Sequence, residues 1–147
     1  MTLTQILKTL VTCILVITFI LVTASAYRHH RSISSLANLS DATSTIMTHL
    51  AADELAYIDE TDNSKHSYVI DPCKLENLVF TAEFGGDNFE FQVTVHYRLG
   101  DDEQELGPYG LALPNDNTTN CSLTAACALW SNGRFLPAKL SVIAWYA

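Results

Sequence analysis

Proline and glycine are missing from the whole first part of the chain: the earliest of each are Pro72 and Gly85. A stretch this long without either helix breaker can hold one helix well beyond the usual few turns. Charge is scarce as well, at 16% of residues against roughly a quarter in ordinary soluble domains. Of the charges present, 8 are Lys or Arg and 16 are Asp or Glu, a net charge of −8. That balance excludes a nucleic-acid partner gripped through a basic face, because neutralising phosphates needs clustered Lys and Arg. Motifs of catalysis are absent too. The chain has no G-x-S-x-G elbow, no phosphate-cradling glycine loop and no C-x-x-C-H for haem. His29, His30, His49, His66 and His96 are scattered, Glu103 and Glu105 belong to an acidic turn, and Asp101-Asp102-Glu103 lacks the EF-hand ligand order. No enzymatic activity, cofactor or metal is expected.

What the chain does have is concentrated at its start. Leu10 to Tyr27 reads LVTCILVITFILVTASAY, 18 uncharged residues, within the ~17–25 that cross a membrane as a helix. Lys8 precedes this run, and Arg28, His29, His30 and Arg31 follow it. From Ser32 the pattern becomes one-sided. Leu36, Thr43, Leu50 and Tyr57 recur every seven residues with Leu39, Ile46 and Met47 beside them, while Ser34, Ser40, Asp41, Ser44 and Asp53 fall elsewhere. This spacing predicts an amphipathic helix. The polar run Asp59–Ser64 is expected to end it. Residues 1–58 thus read as one helix, apolar all round at first and one-faced later. Its charges cancel, Lys8, Arg28 and Arg31 against Asp41, Asp53 and Glu54, so the whole acidity belongs to residues 59–147.

Those later residues have strand character. Phe89, Phe91, Val93, Val95 and Tyr97 alternate with Glu90, Gln92, Thr94, His96 and Arg98, the pattern of a half-buried antiparallel strand. Gly85-Gly86-Asp87 turns back to a strand around Leu78–Phe84. Ser131-Asn132-Gly133 predicts a hairpin between Cys127–Trp130 and Leu140–Tyr146. Pro137 argues for an edge position or an irregular start there. Gly100 to Asn120 reads as a long polar connection. The expected fold class is α+β: a long N-terminal helix followed by a small antiparallel, β-sandwich-like head over residues 59–147.

Cys13, inside the apolar run, reads as a small buried hydrophobe. Cys73, Cys121 and Cys127 are the disulfide candidates. A Cys121–Cys127 bridge would staple the polar connection, and Cys73 could instead take either partner; spacing does not fix connectivity. Zinc would need a fourth ligand that the histidine spacing does not supply. Asn38, Asn117 and Asn120 each open an N-x-S/T sequon and are the N-glycosylation candidates. Together with the cysteines they suggest an exported head.

The opening Met1-Thr2-Leu3-Thr4-Gln5-Ile6-Leu7 resembles the start of a mature type IV pilin, which typically runs F/M-T-L-I-E-L. The resemblance implies a long helix, apolar in its first half, leading to a small β-rich head, which is the layout read above over all 147 residues. It implies a short leader removed ahead of Met1, insertion in the membrane, and handover by pilus assembly machinery into an extracellular, adhesive homopolymer on the cell surface. Identical subunits in repeating contacts that do not close form such a helical filament. Two positions depart from the bacterial pattern. Gln5 stands where a glutamate pairs with a neighbour's N-terminal amine, and glutamine can hydrogen-bond there but carries no charge. Val22 stands where many bacterial pilins have proline. Both departures resemble the archaeal branch, in which the core helix is continuous. The subunit-packing residues implied are Gln5, Lys8, Ile14, Ile17, Leu21, Leu36 and Leu39. Lys8 needs an interface to snorkel to or a polar partner in the fibre.

Two other readings share these residues. Lys8, the apolar run and Ala24-Ser25-Ala26 also fit a secretory signal peptide cleaved after Ala26, leaving a soluble exported β protein that starts at Tyr27. A membrane-anchored monomeric surface protein has the same helix and head but forms no fibre. For that arrangement Arg28 and Arg31 outweigh Lys8 and place the head inside, against the sequons and cysteines.

Overall fold

Helix α1 runs for 47 residues, Leu3–His49, in the computed structural model, which describes residues 2–115 and 117–147. Contacts divide the chain into two units, Met1–Ala37 and Asn38–Ala147. The last three turns of α1 therefore belong with the β-rich part.

In that second unit the helix buries Leu39, Ala42, Thr43, Ile46 and Met47, the i, i+3, i+4, i+7, i+8 set of one helix face. Thr43 is the single polar member, and its hydroxyl donates to the Leu39 carbonyl at 2.6 Å, which pairs the one buried hydroxyl of this face. A π-helical turn, Leu50–Glu54, follows. Its i→i+5 bond, Leu55 N–H to the Leu50 carbonyl at 2.9 Å, accompanies burial of Leu50, Ala51 and Leu55. The helical stretch stops at Glu54, earlier than the sequence pattern suggested. Tyr57, the last heptad position, lies on strand β1 (Ala56–Ile58). The run Asp59–Ser64 is the turn leading from β1 to β2 (Lys65–Ile70). It is built by side chains: Asp59 accepts from the Thr61 hydroxyl at 2.6 Å and N–H at 2.8 Å, and Asp62 accepts from the Ser64 N–H at 2.8 Å. These bonds hold both carboxyl groups below the ordinary aspartate range.

After a short helix α2 (Pro72–Leu75), capped by the Asp71 carboxylate on the Cys73 N–H at 3.0 Å, come β3 (Thr81–Phe84), β4 (Asp87–Leu99), β5 (Asp102–Gly110), β6 (Asn120–Ser131) and β7 (Arg134–Tyr146). All seven strands form one curled sheet in the order β1-β2-β6-β7-β4-β3, with β5 also beside β4. The α+β class expected from the sequence is the one observed. The sheet is mixed rather than wholly antiparallel, because β2 meets β6 in parallel. Phe89, Phe91, Val93 and Val95 of β4 and Leu140, Val142 and Ala144 of β7 form the buried face with the helix residues above. Both expected hairpins are present. Gly85 and Gly86 (φ 63 and 88) join β3 to β4, and Asn132 and Gly133 (φ 49 and 79) join β6 to β7. Positive φ at both central residues is what a two-residue hairpin matching strand twist requires.

Three expectations are corrected. The stretch 100–120 is not one polar connection, since β5 occupies Asp102–Gly110 and pairs with β4 from Leu99↔Asp102 onward. Pro137 is in neither an edge strand nor a frayed start: β7 is central, and Pro137 lies one residue beyond its last pair with β4, Tyr97↔Ala138. A Cys121–Cys127 bridge is excluded, because both residues are in β6. Six residues of strand span about 20 Å, whereas bridged Cα atoms lie within about 7 Å. All four cysteines are free.

Gly110 closes β5 with φ 110, and a Cβ there would meet the Phe91 carbonyl oxygen and a Phe80 ring carbon, each at 2.7 Å. The carbonyl belongs to β4 and cannot move aside. Gly110→Ala is expected to cost about 1–3 kcal/mol through combined backbone strain and overlap, measured by chemical denaturation of the chain against wild type.

Candidate functional site

The part of the molecule that calls for a partner is the first unit, Met1–Ala37. Every described residue from Thr2 to Ser34 is exposed. Among them are large apolar side chains pointing in all directions around the helix, with Ile14 55% exposed, Ile17 58% and Leu21 64%. An apolar surface of this extent is far beyond what a soluble monomer leaves uncovered. The 18 uncharged residues Leu10–Tyr27 rise about 27 Å at ~1.5 Å each, close to the ~30 Å hydrocarbon thickness of a bilayer. By length and composition the helix can cross a membrane.

The threonines inside this run are silenced locally. Thr12, Thr18 and Thr23 each donate their hydroxyl to the carbonyl four residues back, on Lys8, Ile14 and Phe19. Such back-bonding leaves no free donor, the condition for placing threonine against hydrocarbon or another helix. The flanks are polar: Lys8 on one side, Arg28 and Arg31 on the other, with exposed Tyr27 at the boundary where amphipathic aromatics favour a membrane interface.

Gln5 has a role that the pilin-like reading does not include. Its side-chain oxygen accepts from the Thr2 N–H at 3.3 Å, while the Thr2 carbonyl takes the first helical bonds from Gln5 and Ile6 at 2.9 and 3.3 Å. This is half of a capping box, and the spacing Thr2-x-x-Gln5 announces it in the sequence. Met1, the first residue of the pilin-like opening, lies outside the described residues. Val22 continues the helix without a break.

The other site residues separate clearly. Lys8 and Leu36 are exposed, Leu36 by 51%, whereas Leu39 is wholly buried in the chain's own core and has no surface to offer a neighbouring subunit. Cys13, expected to be buried, is exposed along with the rest of the apolar run. Cys73 is exposed on α2, and Cys121 and Cys127 are half-buried on the core face of β6. The sequon residues Asn38, Asn117 and Asn120 are all exposed. Asn38 lies within α1, however, not in a surface loop of the kind that carries glycans.

No protein-family model, curated protein or solved structure matches this chain. Among the described residues no three His, Cys, Asp or Glu side chains are grouped to hold a metal ion. Between Thr9 and Tyr27 there is no acid, base or imidazole at all. What the arrangement can do is insert into lipid or pack against other helices.

The cysteines give a local check on the fold. Burial pushes the Cys127 thiol up to about 11, so near neutral pH its thiolate is roughly a hundredfold scarcer than that of an ordinary thiol. Cys73 is expected to be alkylated by iodoacetamide in the native protein, and Cys127 only after denaturation, as read by peptide mass spectrometry.

Proposed function

We propose that this protein is a structural subunit of an extracellular filament of the type IV pilus kind, acting in surface attachment. Its apolar helix holds it in the membrane before assembly and then packs against identical helices in the fibre. One observation carries the reading. The run Leu10–Tyr27 is exposed on every side of a continuous helix, while residues 38–147 bury a hydrophobic core of their own. A surface that large must be covered by lipid, by copies of itself, or by each in turn. The uninterrupted helix across Val22, the capped start at Thr2 and the self-satisfied threonines all suit close helix packing. An acidic head of net −8 suits the outside of such a fibre, because it keeps the assembly soluble.

The membrane-anchored monomer uses the same helix, and the cleaved signal peptide discards it. Negative-stain electron microscopy of native material, with N-terminal sequencing of the same sample, separates the three. Filaments whose subunits retain the helix are expected. Membrane-bound particles without filaments would replace the proposal with the anchored monomer, and a start at Tyr27 would remove the helix from the mature protein altogether.

A further inference from the structure

Strand β6 is paired along its whole length on one side and almost nowhere on the other. β7 accompanies it from Asn120↔Trp145 to Ser131↔Arg134, whereas β2 meets it only at Ala128 and Leu129. Among the described residues, no strand takes up the outward backbone groups of Asn120–Ala126. An open edge of this kind is a template for a further strand.

Two of the sheet's other edges, β5 and β1, are guarded. β5 carries Asp102, Glu103, Glu105 and Pro108, charges and a missing donor that deter strand addition. β1 is only three residues long. The β6 edge has no such protection. From Asn117 to Gly133 the sequence contains neither a charge nor a proline.

We propose that the Asn120–Ala126 edge pairs with the same edge of a second copy of this chain, antiparallel about Leu123, so that two sheets become one. Charge selects a copy as the occupant. The net negative charge of this protein lies beyond residue 58, so two copies repel wherever their acidic surfaces meet, and the uncharged β6 edge is where they can approach. A basic partner would instead be drawn to the acidic β5 edge. The side chains are self-complementary in this register. Leu123 falls opposite its own mate, Cys121 opposite Ala125, and Ser122 opposite Thr124, so every pair keeps to one face of the sheet. Cys121, Leu123 and Ala125 are half-buried on the core face, and Ser122 and Thr124 are exposed on the other. Pairing would complete the cover of the first set and bring hydroxyls together on the second. The contact is a two-fold, isologous one. It does not rest on the filament reading, since an anchored monomer would present the same edge.

The test uses the full chain in detergent micelles. Light scattering against concentration is expected to show reversible association. Ser122→Glu combined with Thr124→Glu sets like charges opposite each other twice and is expected to raise the dissociation constant about tenfold. Ser122→Lys combined with Thr124→Glu sets opposite charges across the same register and should restore wild-type association. Equal association by both double variants, or a wild type that stays monomeric at every concentration reached, overturns the proposal. Oxidation of a Leu123→Cys chain whose four native cysteines are alanine separates edge pairing from association through the helix. A covalent dimer in high yield supports the edge, and no dimer rejects it, even should a charged variant misfold.

Discussion

Leu21→Asp is expected to abolish stable membrane insertion and filament formation together, while the β-rich unit stays folded. Leu21 is 64% exposed near the middle of the apolar run and is not a member of the buried core. An aspartate at the centre of a spanning helix costs about 2.5–3.5 kcal/mol on insertion scales, and the leucine it replaces is worth a few tenths more. The combined penalty of about 3–4 kcal/mol corresponds to several hundredfold in partitioning. Carbonate extraction of membranes measures the first effect and electron microscopy the second. Thermal unfolding of the β signal should be unchanged. A chain that remains membrane-bound and fibrous with this change would show that the helix is not the assembly surface. Leu21→Ala divides the remaining readings. Alanine still partitions into lipid, so an anchored monomer should tolerate it, but a fibre core loses packing volume at every repeat of the lattice and should yield few or short filaments.

The parts of this fold that were readable in advance are those where one physical signal acts alone. The absence of proline and glycine before Pro72 forecast the long helix, and the i, i+3, i+4 spacing from Leu39 onward marked the buried face. Strict alternation from Phe89 to Val95 identified β4, and the Gly85-Gly86 and Asn132-Gly133 pairs identified two hairpins. Errors came where two signals conflict. β5 is rich in acid and contains Gly107 and Pro108, a composition that suits a loop. An edge strand uses the same composition to prevent aggregation, so the protective chemistry concealed the strand. Tyr57 kept the heptad spacing by coincidence after the chain had already left the helix.

The candidate surface was more legible than its details. The apolar run could be read from composition, because insertion into lipid depends on little else. The Gln5 cap is written in the Thr2-x-x-Gln5 spacing, a local signal that needs no tertiary contact. The free edge of β6 was not readable at all. It depends on β2 diverging from β6 below Val69, a tertiary event that no local pattern records. The Cys121–Cys127 pairing was misread for a similar reason, since only the strand assignment places the two about 20 Å apart.

Leu36 and Leu39, three residues apart on one helix, should give opposite results when each is cut to alanine. Leu39 is wholly buried among the core residues, whereas Leu36 is 51% exposed. Leu39→Ala removes buried methyl groups and leaves a cavity between helix and sheet, which typically costs about 2–5 kcal/mol. For a unit of this size that lowers Tm by roughly 10–30 °C. Leu36→Ala should alter stability by less than about 0.5 kcal/mol, because it removes little that the chain itself has buried. If copies of the helix pack in a fibre, Leu36→Ala should nonetheless reduce filament yield, since the leucine then covers a neighbour. Urea unfolding of each variant and filament counts from the same preparations give the four values needed. Equal loss of stability in both would mean that the helix face has been assigned wrongly. A stable Leu36→Ala chain with full filament yield would confine the packing surface to the residues before it.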